Sequence, residues 1–213
     1  MSADFTEGER LYAATFEEAL RISKDHAERY RFATRFIGPS GGVLDAACGS
    51  GYGSYYMGVH TQAEFIASVD RSEDALNWAR QHFAKEHIYY IQADFAGEFE
   101  SIVGIHRYQT ITCFETVEHI EDDVAFVRIL SRLLRPSGKL LISAPNEDVV
   151  PHQNNPWYPG GVNPYHYRHY RPAELERLVM RSGLRVLEHY TQLPEGTVIK
   201  GSGGPIILLV CEK

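Results

Sequence analysis

The chain has 213 residues, of which 44% are hydrophobic and 23% are charged, and its formal net charge is −7. This length suits one well-buried domain, and the composition excludes a disordered, collagen-like or coiled-coil chain, so we predict a single domain over residues 1–213. The negative charge disfavours a nucleic-acid partner, because binding to phosphates depends on clustered lysine and arginine side chains.

The first part of the chain has a helical pattern. Apolar and aromatic side chains recur among charged ones from about residue 9 to residue 37, with a break near Lys24 and Asp25. The sequence GPSGG then ends the pattern. We predict that residues 1–38 form an N-terminal helical cap.

Short apolar runs and helical segments alternate through the rest of the chain. The predicted strands are residues 42–46, 65–69, 88–92, 110–114, 139–144, 184–189 and 205–211. The predicted helices are residues 52–59, 72–85, 122–134 and 172–182. This alternation predicts an α/β fold with a mostly parallel sheet that is covered on both faces. The two strands after the last helix predict an antiparallel pair at the far edge, which is compatible with a homodimer.

Residues 145–172 differ from the rest of the chain. They hold six of the ten prolines, together with several tyrosines and histidines, and show no periodicity. A loop of this length in a compact domain is usually functional or disordered, and its aromatic content argues against disorder. We predict an ordered loop on the substrate side of the active site.

Targeting signals and cysteine pairs are not evident. The apolar run PIILLV is far shorter than the ~20 residues of a membrane span, and the first ten residues lack a basic-then-apolar signal pattern. Cys48, Cys113 and Cys211 are widely spaced and odd in number, which predicts neither a disulfide framework nor a cysteine zinc site. We predict a cytoplasmic protein without a membrane span.

The stretch VLDAACGSGYGS, residues 43–54, joins the first predicted strand to the next helix. In open α/β sheets ligands bind at the carboxyl ends of the strands, and this first turn is usually part of the crevice. Gly49 and Gly51 fit the dinucleotide pattern GxGxxG, but the third position is Ser54. Asp45 precedes the turn, and a carboxylate there favours a cationic ligand over a pyrophosphate.

Two more acids follow the next two strands. Asp70 ends the second strand, at the distance from the glycine turn where an acid that accepts from ribose hydroxyls is expected. Asp94 and Phe95 follow the third strand and could bind an adenine amino group and ring. Each acid alone could be a helix N-cap. Together, beside a glycine turn, they predict a site for a nucleoside that carries an amino-acid-like cation.

The segments VLDAACGSGYGS, VDRSEDAL and IQADF resemble the first three motifs of class I S-adenosylmethionine-dependent methyltransferases, in order and spacing. The resemblance covers roughly residues 27–211. It implies S-adenosylmethionine as cofactor and a Rossmann-like, seven-stranded, mostly parallel sheet with helices on both faces and an antiparallel last strand. The cofactor-binding residues that it implies are Asp45, Ala47, Gly49, Gly51, Asp70, Arg71, Asp94, Phe95 and Glu115.

The segment FETVEHIEDD after the fourth strand contains the candidate catalytic residues. Methyl transfer from a sulfonium is a direct displacement, and a hydroxyl acceptor must also lose its proton. If the segment is helical, Glu115, Glu118 and His119 share one face. His119 is the first candidate base, because the pKa of histidine lies near neutrality. Glu118 and His166 are the other predicted catalytic residues.

The same segment also resembles a metal motif. Plant small-RNA 2′-O-methyltransferases and some quinone-biosynthesis O-methyltransferases use this ExxEH arrangement, the former with a further histidine from a later loop. The resemblance implies a site of Glu115, Glu118, His119 and His166, with His169 as second choice for the last position. Oxygen and imidazole ligands suit Mg²⁺, Mn²⁺ or Fe²⁺. Many methyltransferases of this superfamily have the EH pair without a known metal, so a metal-free site is the alternative.

A second resemblance concerns the acceptor. The segments DHAERYRFA and YPGGVNPYHYRHYRPAEL resemble methyltransferases found beside glycosyltransferases in bacterial cell-surface polysaccharide and glycolipid pathways. The first interpretation is therefore an S-adenosylmethionine-dependent O-methyltransferase that acts on a small hydroxylated acceptor, a sugar or another metabolite. The alternatives are an RNA 2′-O-methyltransferase with an ExxEH metal site and a non-catalytic S-adenosylmethionine-binding module.

Overall fold

The fold is a single twisted sheet with helices on both faces. The computed structural model describes residues 10–95, 97 and 99–213. The strands are β1 (Gly42–Ala46), β2 (Phe65–Asp70), β3 (Ile88–Gln92), β4 (Tyr108–Cys113), β5 (Leu134–Pro145), β6 (Arg185–Gln192), β7 (Val198–Lys200) and β8 (Ile206–Glu212). The α-helices are α1 (Phe16–Ile22), α2 (Lys24–Ala33), α3 (Tyr52–His60), α4 (Glu73–His82), α5 (Phe99–Val103), α6 (Asp123–Leu133) and α7 (Pro172–Arg181).

The sheet order is β3-β2-β1-β4-β5-β8-β6-β7. Strands β1 to β5 pair in parallel, whereas β8 is antiparallel to both β5 and β6. This confirms the predicted mostly parallel sheet and the antiparallel last strand. The count differs by one strand, because the three residues of β7 pair with β6 and extend the edge beyond the predicted pair. A strand of three residues is too short to give a recognisable alternation.

The central strands are buried on both faces, which explains their continuous apolar sequences. All five residues of β1 and the first six residues of β8 are buried. Helices α5, α6 and α7 cover one face, where Leu130 packs with Leu140 and Leu209. Helices α1, α2 and α3 cover the other face, where Met57 and Val210 belong to the second cluster. Each fully buried leucine or methionine contributes about 1.5–3 kcal/mol relative to an exposed one.

The ends of the helices follow the capping rules. The Ser72 hydroxyl accepts from Ala75 N before α4, and the Asp122 carboxylate accepts from Ala125 N before α6. Helix α7 begins at Pro172, where the missing N–H costs nothing. The short helix α5 was not predicted, because five residues give too few repeats for a helical pattern.

The predicted cap and loop surround the carboxyl ends of the strands. Helices α1 and α2 lie in the predicted cap and meet at Ser23, close to the predicted break, while residues 1–9 of that cap lie outside the described residues. The predicted loop is tied to the sheet, since Tyr170 N donates to Pro145 O and Glu147 N donates to Tyr170 O. Within the described part of the chain, no helix combines the length and apolarity required to cross a membrane.

Candidate active site

A cavity of about 660 Å³ opens at the carboxyl ends of the parallel strands. We call it the strand-end cavity. Its walls come from the segment before α1, from α2, from the turns after β1, β2, β3 and β4, and from the 145–172 loop. This volume falls in the range of small-molecule sites. The lining residues on which the argument depends are Arg10, Arg29, Ala47, Gly49, Asp70, Arg71, Asp94, Phe95, Glu115, His119, Tyr165, His166 and Tyr167.

The glycines of the turn after β1 have different functions. Gly49 has a φ of +54°, and a Cβ atom there would meet no neighbouring atom within 4 Å, so its main chain is open to a ligand. A Cβ on Gly51 would instead collide with Ala79, and one on Gly53 would collide with the ring of Tyr30. Only Gly49 of these three lines the cavity. The other two allow helices and side chains to pack closely against the turn.

Ala47 is the non-glycine residue of this turn with a left-handed backbone, at a φ of +65°. Residues other than glycine adopt this conformation at a cost of roughly 1–2 kcal/mol. Cys48 N donates to Val69 O and thereby fixes the strained turn to β2. Ala47 and Gly49 therefore both present main chain at the wall of the strand-end cavity.

Asp70 connects three parts of the cavity wall. Its carboxylate accepts from Gly49 N, from Ser72 N and from the Arg10 guanidinium, each at 2.9 Å. A carboxylate offers about four acceptor positions, so these three bonds leave capacity for one more. Asp70 lines the cavity at the position that the sequence predicts for a ribose-binding acid.

Asp45 lies beneath the glycine turn and is not among the residues that line the cavity. It is 1% exposed and accepts from the hydroxyls of Ser54 (2.5 Å), Thr112 (2.9 Å) and Tyr30 (3.3 Å). Burial raises the pKa of Asp45 to about 6, although these three hydrogen bonds act in the opposite direction. The three hydroxyls hold Asp45 beneath the turn, and its predicted attraction of a cationic ligand stays a prediction.

Asp94, Phe95 and Arg71 line the end of the cavity that lies beyond β2 and β3. The centroid of the Phe95 ring lies 4.4 Å from the ring centroids of both Phe99 and Phe126. These contacts fix one face of the ring in the apolar core and leave its remaining surface at the cavity wall. This arrangement suits the predicted binding of a flat base between an acid and an aromatic ring.

Glu115 does not share a helical face with Glu118 and His119. Its φ is +47°, and the 3-10 turn that follows β4 spans only Val117–His119. The Glu115 carboxylate accepts from the Ser143 hydroxyl at 2.7 Å, and Ser143 accepts from Glu115 N at 3.1 Å. The condition under which the three residues would share a face, a helical segment that includes Glu115, is therefore not met. Glu115 lines the cavity, as expected for a cofactor-binding residue, but lies outside the cluster described next.

Glu118, His119 and His166 form a compact cluster. Each offers one ligand atom, and these three atoms lie within 4.8 Å of one another. Glu118 is fully buried, and the rings of His119 and His166 meet edge to face with centroids 4.5 Å apart. Tyr167 N donates to Glu118 O and joins the 145–172 loop to the turn after β4. The structure thus brings together three of the four predicted metal ligands, and Glu115 is the exception.

Hydrogen bonds determine which ring nitrogen carries the proton in the histidines of this cluster. His119 Nδ1 lies 3.1 Å from Tyr165 O, and because a carbonyl only accepts, Nδ1 carries the proton and Nε2 has the lone pair. His166 Nδ1 lies 2.8 Å from His169 Nε2. Burial and the neighbouring histidine rings lower the pKa of His166 to about 3. The ring of His166 is therefore neutral at pH 7, and its lone pair is suited to bind a cation rather than to accept a proton.

The sequence interpretation missed Arg29, which also lines the cavity. Its side chain is 1% exposed, and it donates to Gln192 Oε1 at 2.5 Å. Its Nε has no hydrogen-bond partner among the described residues, and the Asp25 carboxylate lies 4.0 Å from its guanidinium. A buried cation in this state favours an anionic ligand group. The sequence signal is weak, since an arginine among charges on a helix normally faces solvent.

Comparisons with known proteins identify the family of this chain. A family model described as "Methyltransferase domain" matches residues 16–189, which include the glycine turn and the cluster. A probable S-adenosylmethionine-dependent methyltransferase of Mycolicibacterium smegmatis is 30% identical over 182 residues, which cover 84% of this chain and 65% of that protein. The chain belongs to the class I S-adenosylmethionine-dependent methyltransferases. The resemblance found in the sequence motifs is thereby confirmed.

This methyltransferase spans about half to two thirds of the length of two other relatives. The probable S-adenosylmethionine-dependent methyltransferase of Mycobacterium tuberculosis is 31% identical over 142 residues, or 66% of this chain and 47% of that protein. The ubiquinone biosynthesis O-methyltransferase of Neisseria meningitidis is 28% identical over 159 residues, or 68% of this chain and 64% of that protein. The predicted link to cell-surface polysaccharide pathways stays a prediction.

Solved structures share the fold of this methyltransferase. The S-adenosylmethionine-dependent methyltransferase from Mesorhizobium loti has a TM-score of 0.68 and 16% identity, covering 89% of this chain and 99% of that chain. A methyltransferase from Thermotoga maritima has a TM-score of 0.71 and 13% identity, covering 93% of this chain and 94% of that chain. At these identities the likeness shows the fold alone.

Proposed function

We propose that this methyltransferase transfers a methyl group to a hydroxyl of a small acceptor, a sugar or another hydroxylated metabolite. One observation carries the proposal: the residues suited to the cofactor and the candidate base His119 line the same cavity. A base beside a methyl donor is what transfer to an alcohol needs, because the attacking oxygen must lose its proton.

The residues of the strand-end cavity fit S-adenosylmethionine, which when bound supplies an electrophilic methyl group on a sulfonium. Asp70 has one acceptor position left for a ribose hydroxyl. Asp94 and Phe95 suit the adenine, and Gly49 allows close approach of the main chain. Arg29 offers its buried Nε to the carboxylate of the amino-acid end, which would give this atom the hydrogen-bond partner that it lacks among the described residues.

His119 acts as the general base in this proposal. The carbonyl of Tyr165 holds the Nδ1 proton, so Nε2 is the atom that takes the proton of the acceptor hydroxyl. Tyr165 and Tyr167 line the same part of the cavity and offer aromatic faces against which a sugar or phenol ring can stack. The name of the Neisseria relative, an O-methyltransferase, supports oxygen as the methylated atom.

A divalent cation fits the same cluster. Glu118, His119 and His166 present one oxygen and two imidazole nitrogens, a donor set typical of Fe²⁺ and acceptable to Mn²⁺. A cation held there would lower the pKa of the acceptor hydroxyl. The metal-free site with His119 as base and the site with a divalent cation differ in one measurable respect, since only the latter requires the ion for turnover.

The test is transfer from methyl-labelled S-adenosylmethionine to a panel of nucleotide sugars, phenols and short RNAs, each with and without a chelator. We expect a labelled sugar or phenol ether. Transfer to RNA alone would overturn the proposed acceptor class, and a product with the label on nitrogen or sulfur would overturn O-methylation. Loss of turnover with chelator, restored by Mn²⁺ or Fe²⁺, would assign the metal-dependent version.

A further inference from the structure

His169 follows His166 by three residues and lies deeper in the protein. Its side chain is 6% exposed and does not line the strand-end cavity. Its two ring nitrogens each make one hydrogen bond: Nδ1 lies 2.6 Å from Val150 O, and Nε2 lies 2.8 Å from His166 Nδ1. Both distances are those of full hydrogen bonds.

The Val150 carbonyl determines the direction of this chain of bonds. A carbonyl only accepts, so the proton of a neutral His169 ring is on Nδ1 and its Nε2 has the lone pair. His166 Nδ1 must then donate to His169 Nε2, which leaves Nε2 of His166 as the nitrogen with a lone pair.

Other contacts hold Val150, whose carbonyl accepts the hydrogen bond from His169. Val150 is 1% exposed, and its N–H donates to Asn146 O at 2.7 Å in the turn that follows β5. Asn146 is held in turn, because its side-chain amide donates to Gly204 O at 2.8 Å. On the other side, Tyr170 forms a bridge with Asn146 directly after His169. His169 is therefore held next to the end of β5, in the part of the 145–172 loop that pairs with Asn146.

We infer that His169 is a positioning residue, which fixes His166 in the Nδ1–H form and so makes Nε2 the acceptor atom of the Glu118–His119–His166 cluster. This inference rests on the proposed role of that cluster. It replaces the sequence-based expectation that His169 is the second choice for a metal ligand, because both of its ring nitrogens already have partners in the protein. Second-sphere partners of this kind orient ligating histidines in metal sites.

The first measurement needs neither metal nor substrate. Long-range ¹H–¹⁵N correlation spectra of the labelled protein distinguish the two neutral tautomers of each histidine, and the His166 signals are assigned by their loss in His166→Gln. We expect His166 as the Nδ1–H tautomer in the wild type and a mixture of tautomers in His169→Leu. An Nε2–H tautomer of His166 in the wild type, or a tautomer unchanged in His169→Leu, would overturn the inference.

Conservative and control variants separate positioning from general packing. In His169→Gln the amide supplies one donor and one acceptor, so the His166 tautomer should be retained, and this variant keeps the test valid if His169→Leu does not fold. His152→Gln is the matched control, because His152 Nε2 lies 3.0 Å from the main-chain oxygen of His166 and not from its ring. A tautomer change in His152→Gln as large as in His169→Leu would contradict a specific role of His169.

The second measurement is Mn²⁺ affinity, followed by electron paramagnetic resonance. We expect His169→Leu to bind Mn²⁺ about 10–100-fold more weakly than the wild type, and His169→Gln to stay within about threefold. Equal affinity of wild type and His169→Leu would overturn the inference. If the wild type binds no Mn²⁺ while the tautomer is as expected, the metal version of the proposed function fails and the positioning role stands.

Discussion

The ring of Tyr30 fills the space in which a side chain at Gly53 would have to lie. Tyr30 cannot move aside easily, because its ring packs edge to face on Phe114 at 5.4 Å and on Tyr52 at 5.7 Å. Its hydroxyl also donates to Asp45. Helix α2 of the cap is thereby packed directly against the first turn of helix α3.

Gly53→Ala should destabilise the protein by about 1–3 kcal/mol, because the added methyl group overpacks a region that has no room to relax. Urea unfolding measures the change. Gly38→Ala is the matched control, since a Cβ there meets nothing within 4 Å, and it should be nearly neutral. The steric explanation also requires that the cost shrink in a Tyr30→Ala background; an undiminished cost there would contradict it.

Asp45 should make stability depend on pH. Its pKa is about 6 in the folded protein and near 3.8 when unfolded, so the folded state binds more protons between these values. Its contribution is complete below about pH 3.8 and is lost as the pH rises through about 6, up to about 3 kcal/mol. The unfolding free energy of the wild type minus that of Asp45→Asn should therefore be larger at pH 4.5 than at pH 7.5. A difference that is constant or grows with pH would contradict the protonation of Asp45 near pH 6.

Arg29→Met should weaken binding of S-adenosylhomocysteine by about 10–100-fold, because hydrogen bonds to charged groups contribute about 1.5–3 kcal/mol. Calorimetry measures this loss. Methylthioadenosine lacks the carboxylate, and its affinity should be the same for both proteins. Arg31→Met is the control, as Arg31 lies on the same helix with 45% of its side chain exposed. If both ligands lose affinity equally, Arg29 acts through packing and not through the carboxylate.

His119→Asn should lower kcat by about 10²–10⁴-fold while cofactor affinity stays within about threefold, since a general base contributes only to the chemical step. Asparagine is a suitable replacement because its amide can still donate to Tyr165 O, where His119 Nδ1 now donates. Steady-state kinetics and calorimetry check the two parts. Turnover within tenfold of the wild type would show that the proton is removed elsewhere.

The alternation of apolar runs and helical segments was enough to predict the sheet, because buried parallel strands have continuous apolar sequences. It also predicted the turn at Gly49 and the acid at Asp70, since a first turn and a second strand end have fixed places in such sheets. The positions of these residues on the cavity wall agree with those expectations, while their binding roles stay predictions.

What the sequence could not show depends on contacts between distant segments or on single backbone angles. Arg29 is buried because it meets Gln192, which lies 163 positions further along the chain. Glu115 does not share a helical face with Glu118 and His119 because its own φ is positive and its carboxylate accepts from the Ser143 hydroxyl. Neither event changes the local pattern of apolar and polar residues from which helices are predicted.

The place of β8 affects how the chain is made. Strand β8 follows β6 and β7 in sequence, yet it lies between β5 and β6 in the sheet. During synthesis on the ribosome, all five parallel strands emerge before β8, which pairs with β5 on the side away from β4. Until β8 is synthesised, β5 lacks the strand that pairs with it on this side, and unpaired strand borders can pair with other chains. We expect the biogenesis of this enzyme, more than its mature form, to depend on chaperones.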